Sequence, residues 1–237
     1  LATRLYFHST NSALSNLPTT DQSSLTNDKI VDALTVNRSM NTTIGTAQTS
    51  LALSSNNTTS IQRYYYTRFV SDSLNGISSI SANTWTYNFA AQQSSTFARF
   101  PAGVNGPVRV TCYVWRPSSS TKIADILDGN SNNVNQSVTT EISFNLTFTG
   151  AAVASIVDGD VIVFEVWFET TAAIAGAYTQ TFYYDGTTVT TTTGTVVSNH
   201  ASFIETPQSL TFGGGGAGSV TCTPTSKTVY NKTAKHG

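Results

Sequence analysis

The stretch Ile156-Val157-Asp158-Gly159-Asp160-Val161-Ile162-Val163-Phe164-Glu165-Val166-Trp167-Phe168-Glu169-Thr170 decides how the rest of the chain is read. A turn at Asp158-Gly159-Asp160 releases a β-branched and aromatic run with the two-residue period of a strand. Ile162, Phe164, Val166 and Phe168 fall on one side, and Val161, Val163, Glu165, Trp167 and Glu169 on the other. The first side is wholly apolar and needs a second layer over it, which makes this a central strand of a layered protein. The second side mixes Trp with carboxylates and is expected to face water or a partner.

Working outward, the same alternation recurs every ten to fifteen residues or so, the spacing of a sandwich or barrel. Ile142, Phe144, Leu146 and Phe148 alternate with Ser143, Asn145 and Thr147. Val108, Val110, Cys112 and Val114 form an apolar side with Arg109, Tyr113 and Trp115 opposite, until Arg116-Pro117 ends the run. Trp85, Tyr87 and Phe89 alternate, and residues 61–70 carry Tyr64, Tyr65 and Tyr66 in succession. Residues 1–8, 35–40, 49–53 and 122–127 read as shorter or weaker strands. Downstream, residues 178–184 and 187–197 flank Asp185-Gly186, a dipeptide suited to a two-residue hairpin turn. Residues 202–205 and 208–212 complete the set. Only residues 27–34 suggest helical turns, with Asn27 as the cap.

These roughly ten strands predict an all-β fold, a jelly-roll-like antiparallel β-sandwich with an extended N-terminal strand and a flexible C-terminal tail. The division expected is a strand and polar linker over residues 1–29, the sandwich over 30–212, and a Gly hinge with a polar tail over 213–237.

Composition narrows the function. Charged residues are 11% of the 237, against roughly 25% in an ordinary domain. Twelve Phe, ten Tyr and three Trp supply a core that a disordered chain lacks. A net charge of −1 gives no electrostatic footprint for nucleic acid. A surface poor in Lys and rich in Thr and Asn suits packing against neighbours or glycosylation. The only Met is Met40 and the chain starts at Leu1, so a processed or partial chain is expected. Its longest apolar run, residues 161–168, is far short of the ~20 residues of a membrane helix, and no membrane insertion is expected. Cys112 and Cys222 allow one disulfide or none.

No catalytic residues, metal site or cofactor are expected. His8, His200 and His236 are accompanied by neither a Gly-x-Ser-x-Gly elbow nor a His-Glu-x-x-His helix. Asp158 and Asp160 are two carboxylates where calcium needs roughly six to eight oxygens, and a tight turn is the simpler reading. Gly213 to Gly216 lacks the Lys-Ser or Lys-Thr of a phosphate cradle and reads as a hinge.

Two surfaces remain. Arg109, Tyr113, Trp115, Glu165 and Trp167 are expected to share an outer face, either as sugar contacts or, on the simpler reading, packed beneath loops or another subunit with Arg109 and Glu165 ion-paired across strands. At the ends, Leu5 and Phe7 precede a polar tract and Val220 and Cys222 follow the glycines, so either terminus is a candidate for strand exchange with a neighbour. Sequons stand at Asn37, Asn41, Asn56, Asn57, Asn135, Asn145 and Asn231.

Several segments resemble a family of virion structural proteins of tailed phages, especially those of cyanobacteria and other aquatic bacteria. They are Ala2-Thr3-Arg4-Leu5-Tyr6-Phe7, Arg68-Phe69-Val70-Ser71-Asp72, Val108-Arg109-Val110, Asp158-Gly159-Asp160-Val161-Ile162-Val163-Phe164-Glu165 and Phe203-Ile204-Glu205. The resemblance implies a β-sandwich module of a phage neck, tail or fibre, or of a related extracellular filament. The Gly run and Thr-rich tail after Phe212 depart from it. Copies of the chain itself are then the expected partners, with covalent or bound glycans in addition, in a virion or extracellular setting. The alternative is a carbohydrate- or receptor-binding domain of a phage fibre.

Overall fold

The computed structural model describes residues 2–17, 29–55, 63–94, 106–134, 139–169 and 178–213. These hold twelve strands: β1 Arg4–Asn11, β2 Lys29–Ile30, β3 Arg38–Asn41, β4 Thr49–Ser55, β5 Arg63–Ser71, β6 Asn83–Gln93, β7 Gly106–Arg116, β8 Thr121–Val134, β9 Ile142–Gly150, β10 Val161–Glu169, β11 Tyr178–Tyr184 and β12 Phe203–Glu205. The fold is an all-β sandwich, with no helix among the described residues.

β10 is central. It runs antiparallel to β5 on one side and β7 on the other, so that Phe164 lies opposite both Phe69 and Cys112. The ladder then passes from β5 through β3, β1 and β12 to β6, and β6 carries β9 on its other edge. It almost returns to its start, because Ala151 N–H beyond β9 donates to the Ile126 carbonyl of β8 at 2.8 Å. The layers are therefore two regions of one continuous ladder and not two separate sheets. β11 and β4 extend sideways from the end of β6, where Gln180 to Tyr183 face Gln93 to Ala90. Two pairs, β2 with β5 and β3 with β5, are parallel, and the other strand pairs are antiparallel as expected.

Aromatic rings join the layers. Phe7 stacks on Phe69 at 4.1 Å between centroids and reaches Phe164 at 5.5 Å and Tyr87 at 5.9 Å. Tyr87 meets Phe164 at 5.1 Å, and Phe69 meets Phe182 and Tyr184 from the other layer. Such pairs each contribute about 0.5–1.5 kcal/mol beyond the area they bury. β1 is thus an integral part of the sandwich, lying between β12 and β3, and not a strand set apart by a linker.

Two further expectations are corrected. The described part of 27–34 is not helical: Lys29 and Ile30 pair with Tyr64 and Tyr65, the N–H groups of Val31 and Asp32 donate to the carbonyls of Tyr65 and Tyr66, and a turn closed by Val36 N–H to Ala33 O follows. A sheet edge in need of donors outweighs the weak helical signal. Residues 187–197 form no strand opposite β11. Asp185 adopts φ 65°, and the Thr-rich run lies instead across the outside of β6 and β9. There Thr190 O accepts from Asn88 Nδ2, Thr192 O from Ser143 Oγ, and Thr193 Oγ1 from Asn145 N–H. The run has hydroxyls and carbonyls to offer and little apolar side to bury, and the surface beneath it is equally polar.

Candidate functional site

The outer face of β5, β10 and β7 is covered by the chain itself. Tyr113 and Glu165 are 0% exposed, Trp167 1% and Trp115 6%. Of the two readings of this face, packing beneath other parts of the chain accords with this burial, and an open sugar face does not. The side chain of Arg109 lies outside the described residues. Val70, Tyr113, Trp115, Val161 and Val163 form a second apolar cluster, roofed by Leu14 and Leu17. The roof is fastened on both sides: Asn37 Nδ2 donates to Leu14 O at 2.9 Å, and Asn16 Nδ2 to Pro117 O at 2.7 Å. The polar tract after β1 is thus, over its described part, a strap.

Further along the same face, Tyr65 meets Trp167 edge-on at 4.9 Å. Arg68 lies opposite Glu165 and Thr67 opposite Val166, and a register shift between Val166 and Trp167 follows. Arg68 lies 3.8 Å from Glu165, both essentially unexposed, and donates from its other terminal nitrogen to Leu34 O at 2.8 Å. In the ladder Glu165 lies opposite Arg68 of β5 and Thr111 of β7, while Arg109 lies opposite Trp167. Thr67 donates to Asp32, which also receives a bidentate pair from Arg38.

His8, Ser9 and Asp185 come together without forming a catalytic relay. His8 Nδ1 and the Ser9 hydroxyl both bind the Asp185 carboxylate, at 3.0 and 2.6 Å, and His8 Nε2 faces Asn41 Oδ1 at 3.1 Å. Ser9 therefore has no imidazole to take its proton. His200 is fully buried, with Nε2 2.7 Å from Asn88 Oδ1. Because Asn88 Nδ2 is committed to Thr190 O, Asn88 presents its oxygen and His200 donates from Nε2. Burial holds His200 down at about 4.

Asp158 and Asp160 are occupied by protein donors. Asp158 accepts from Gly76 N–H at 2.6 Å, and Asp160 takes both a bidentate pair from Arg116 at 2.9 Å and Val157 N–H at 3.0 Å. Gly159 between them has φ 94°, the conformation a tight turn demands of glycine. Among the described residues no group of three or more His, Cys, Asp or Glu is placed to hold a metal.

Leu5 and Phe7 are 0% exposed within their own core. Val220 and Cys222 lie outside the described residues, as do Asn56, Asn57, Asn135 and Asn231. Cys112 is buried, and burial pushes its thiol well up. Asn37 is 7% exposed, its amide held by Leu14. Asn41 caps Thr43 N–H. Asn145 lies under the 190–195 loop, its N–H taken by Thr193.

With both faces covered, what remains is the rim. The free side of β9 is closed by Ser143 N–H to Thr195 O, Gly194 N–H to Ser143 O and the Ala151 to Ile126 bond. β8 carries Lys122, Asp125 and Asp128, and its ladder with β7 breaks register three times. Charges and bulges are the usual defences of a strand edge. β4 has neither. Its seven residues, Thr-Ser-Leu-Ala-Leu-Ser-Ser, contain no charge and no proline and pair with β11 in unbroken register from Thr49 to Ser55. Among the described residues its other side has no ladder partner. Leu51 and Leu53 pack against the main core yet stay partly exposed, and Ser50, Ala52 and Ser54 are exposed. In the sequence alone β4 is a weak strand. Its one signal, an uncharged strand, does not stand out in a chain that is sparsely charged throughout.

No family model matches the chain, and no curated protein matches its sequence. Among solved structures it is similar to a CBM4 carbohydrate-binding module, with 14% identity over 56% of this chain and 78% of that chain and a TM-score of 0.24. It is also similar to the VP2 subviral particle of infectious bursal disease virus, with 10% identity over 68% of this chain and 40% of that chain and a TM-score of 0.20. A structure of the Gx strain of the same virus matches at 11% identity over 68% and 38%, with a TM-score of 0.21. Likenesses this distant say nothing about what the present chain binds.

Proposed function

We propose that the chain is a structural subunit of a tailed-phage appendage, or of an extracellular fibre, that works by associating with copies of itself and without catalysis. The observation that carries this reading is the contrast around the rim among the described residues: one strand edge is guarded by charge and bulges, one is sealed by loops, and the outer side of β4 has no ladder partner. A bare, flat, uncharged edge recruits another strand through its unpaired backbone groups. The resemblance of the opening segment and of residues 158–165 to virion proteins supports the setting. The carbohydrate-binding alternative loses its platform, since Tyr113, Trp115 and Trp167 are inside.

Exchange of the N-terminal strand would require removing Leu5 and Phe7 from the core between the layers. A donated C-terminal strand carrying Val220 and Cys222 is the competing occupant of the β4 edge. Electron microscopy and light scattering of the purified chain test the reading, alongside a glycan array. Assemblies that persist after truncation at residue 216 support pairing between folded modules. A small oligomer retained by the array would refute the structural assignment.

A further inference from the structure

We infer that the β4 edge pairs with the β4 edge of a second copy across a two-fold axis passing midway between the two Ala52 residues. The inference rests on the self-association reading and names its contact. Residues 50 to 54 read Ser-Leu-Ala-Leu-Ser in both directions. Antiparallel pairing about Ala52 sets Ala52 against Ala52 of the second copy, Leu51 against Leu53, and Ser50 against Ser54. A symmetric contact needs such a self-complementary surface, because the same patch must serve both partners.

The alternation of β4 makes the match work on both faces. Leu51 and Leu53 lie against the core and are incompletely covered. A two-fold axis perpendicular to the sheet keeps these leucines on the core side in both copies, so four leucines form one row across the joint. The exposed side presents Ser50, Ala52 and Ser54, small groups that leave the approaching backbone unobstructed. Neither strand carries a charge, so the pairing brings no like charges together. The unbroken register with β11 leaves no bulge in β4 to interrupt a second ladder along its length. The product is a continuous sheet running through two molecules, a closed dimer. Larger assemblies need a second, different contact.

Single cysteines in a Cys222→Ser background test the register. Cys112 is buried and does not interfere. Directly opposed residues across an antiparallel ladder have Cβ atoms about 4.5–5.5 Å apart. Ala52→Cys is therefore expected to form a disulfide-linked dimer with oxidised glutathione. Ser50→Cys is not, because two copies of residue 50 stand four positions out of register, about 14 Å along the strand. Ser50→Cys/Ser54→Cys restores the cross-link. Ala52→Lys, at an exposed site, sets two ammonium groups face to face and is expected to weaken dimerisation at least tenfold in sedimentation velocity, with an unchanged circular dichroism spectrum. Equal cross-linking of the 50 and 52 variants overturns the two-fold register. If Ala52→Lys assembles like the unmodified chain, the edge assignment falls while self-association stands. If the unmodified chain is monomeric at every concentration, both fall.

Discussion

His200 gives the sandwich a pH dependence whose size follows from its burial. The imidazole is fully enclosed beneath the 187–200 loop, donates from Nε2 to Asn88, and has no hydrogen-bond partner for Nδ1 among the described residues. Charging it would place a cation where nothing compensates it, which is why burial lowers its value from 6.5 to about 4. The unfolded chain therefore binds this proton between those values and the folded chain does not. Stability is complete above pH 6.5 and is lost as the pH falls toward 4. The full loss is about 3 kcal/mol, of which about 2 kcal/mol has appeared by pH 5. Urea unfolding at pH 7.5 and pH 5, followed by tryptophan fluorescence, measures it. Because Asp72 and Glu141 are also shifted, the comparison must be made against His200→Gln, whose amide donates to Asn88 but takes up no proton. The variant is expected to lose about 2 kcal/mol less than the unmodified chain between the two pH values. Equal losses would refute the reasoning.

Other substitutions report on separate parts of the fold. Glu165→Leu removes the carboxylate beside the buried Arg68 guanidinium and is expected to destabilise by about 3–5 kcal/mol, part of which Arg68→Met in the same chain restores; a double-mutant cycle in urea measures both. Phe7→Ala empties the space among Phe69, Phe164 and Tyr87 and is expected to cost about 3–5 kcal/mol, seen as a lowered unfolding midpoint. Deleting residues 1–10 removes β1 from between β12 and β3, and is expected to abolish cooperative unfolding rather than yield a trimmed, folded module. Leu14→Ser with Leu17→Ser loosens the strap over Tyr113 and Trp115, and is expected to raise acrylamide quenching of tryptophan fluorescence with the secondary structure intact.

Much of the sandwich was legible in the alternation of β6, β7, β9 and β10, where large apolar groups recur at every second position and only one side of each strand suits a core. The opposite sides were misread because their covers come from elsewhere: Leu14 and Leu17 sit in a polar tract, and Leu34 contributes a carbonyl rather than a side chain. Trp167 beside Glu165 looks amphipathic until Arg68 is known to lie across the ladder. Asp185-Gly186 makes a turn as its chemistry suggests, but whether the following residues pair as a strand depends on the surface available, and Asn88 and Ser143 offered a polar one. The candidate edge was invisible because an edge is defined by what a strand lacks, and neighbours that are missing leave no trace in local sequence.

The most direct test of self-association through a bare edge is sedimentation equilibrium of the unmodified chain across a wide concentration range. The account predicts a mass that climbs above the 25.2 kDa of one chain as concentration rises, and that stays near that value when Ala52 is replaced by Lys. A single species at the mass of one chain throughout would contradict it.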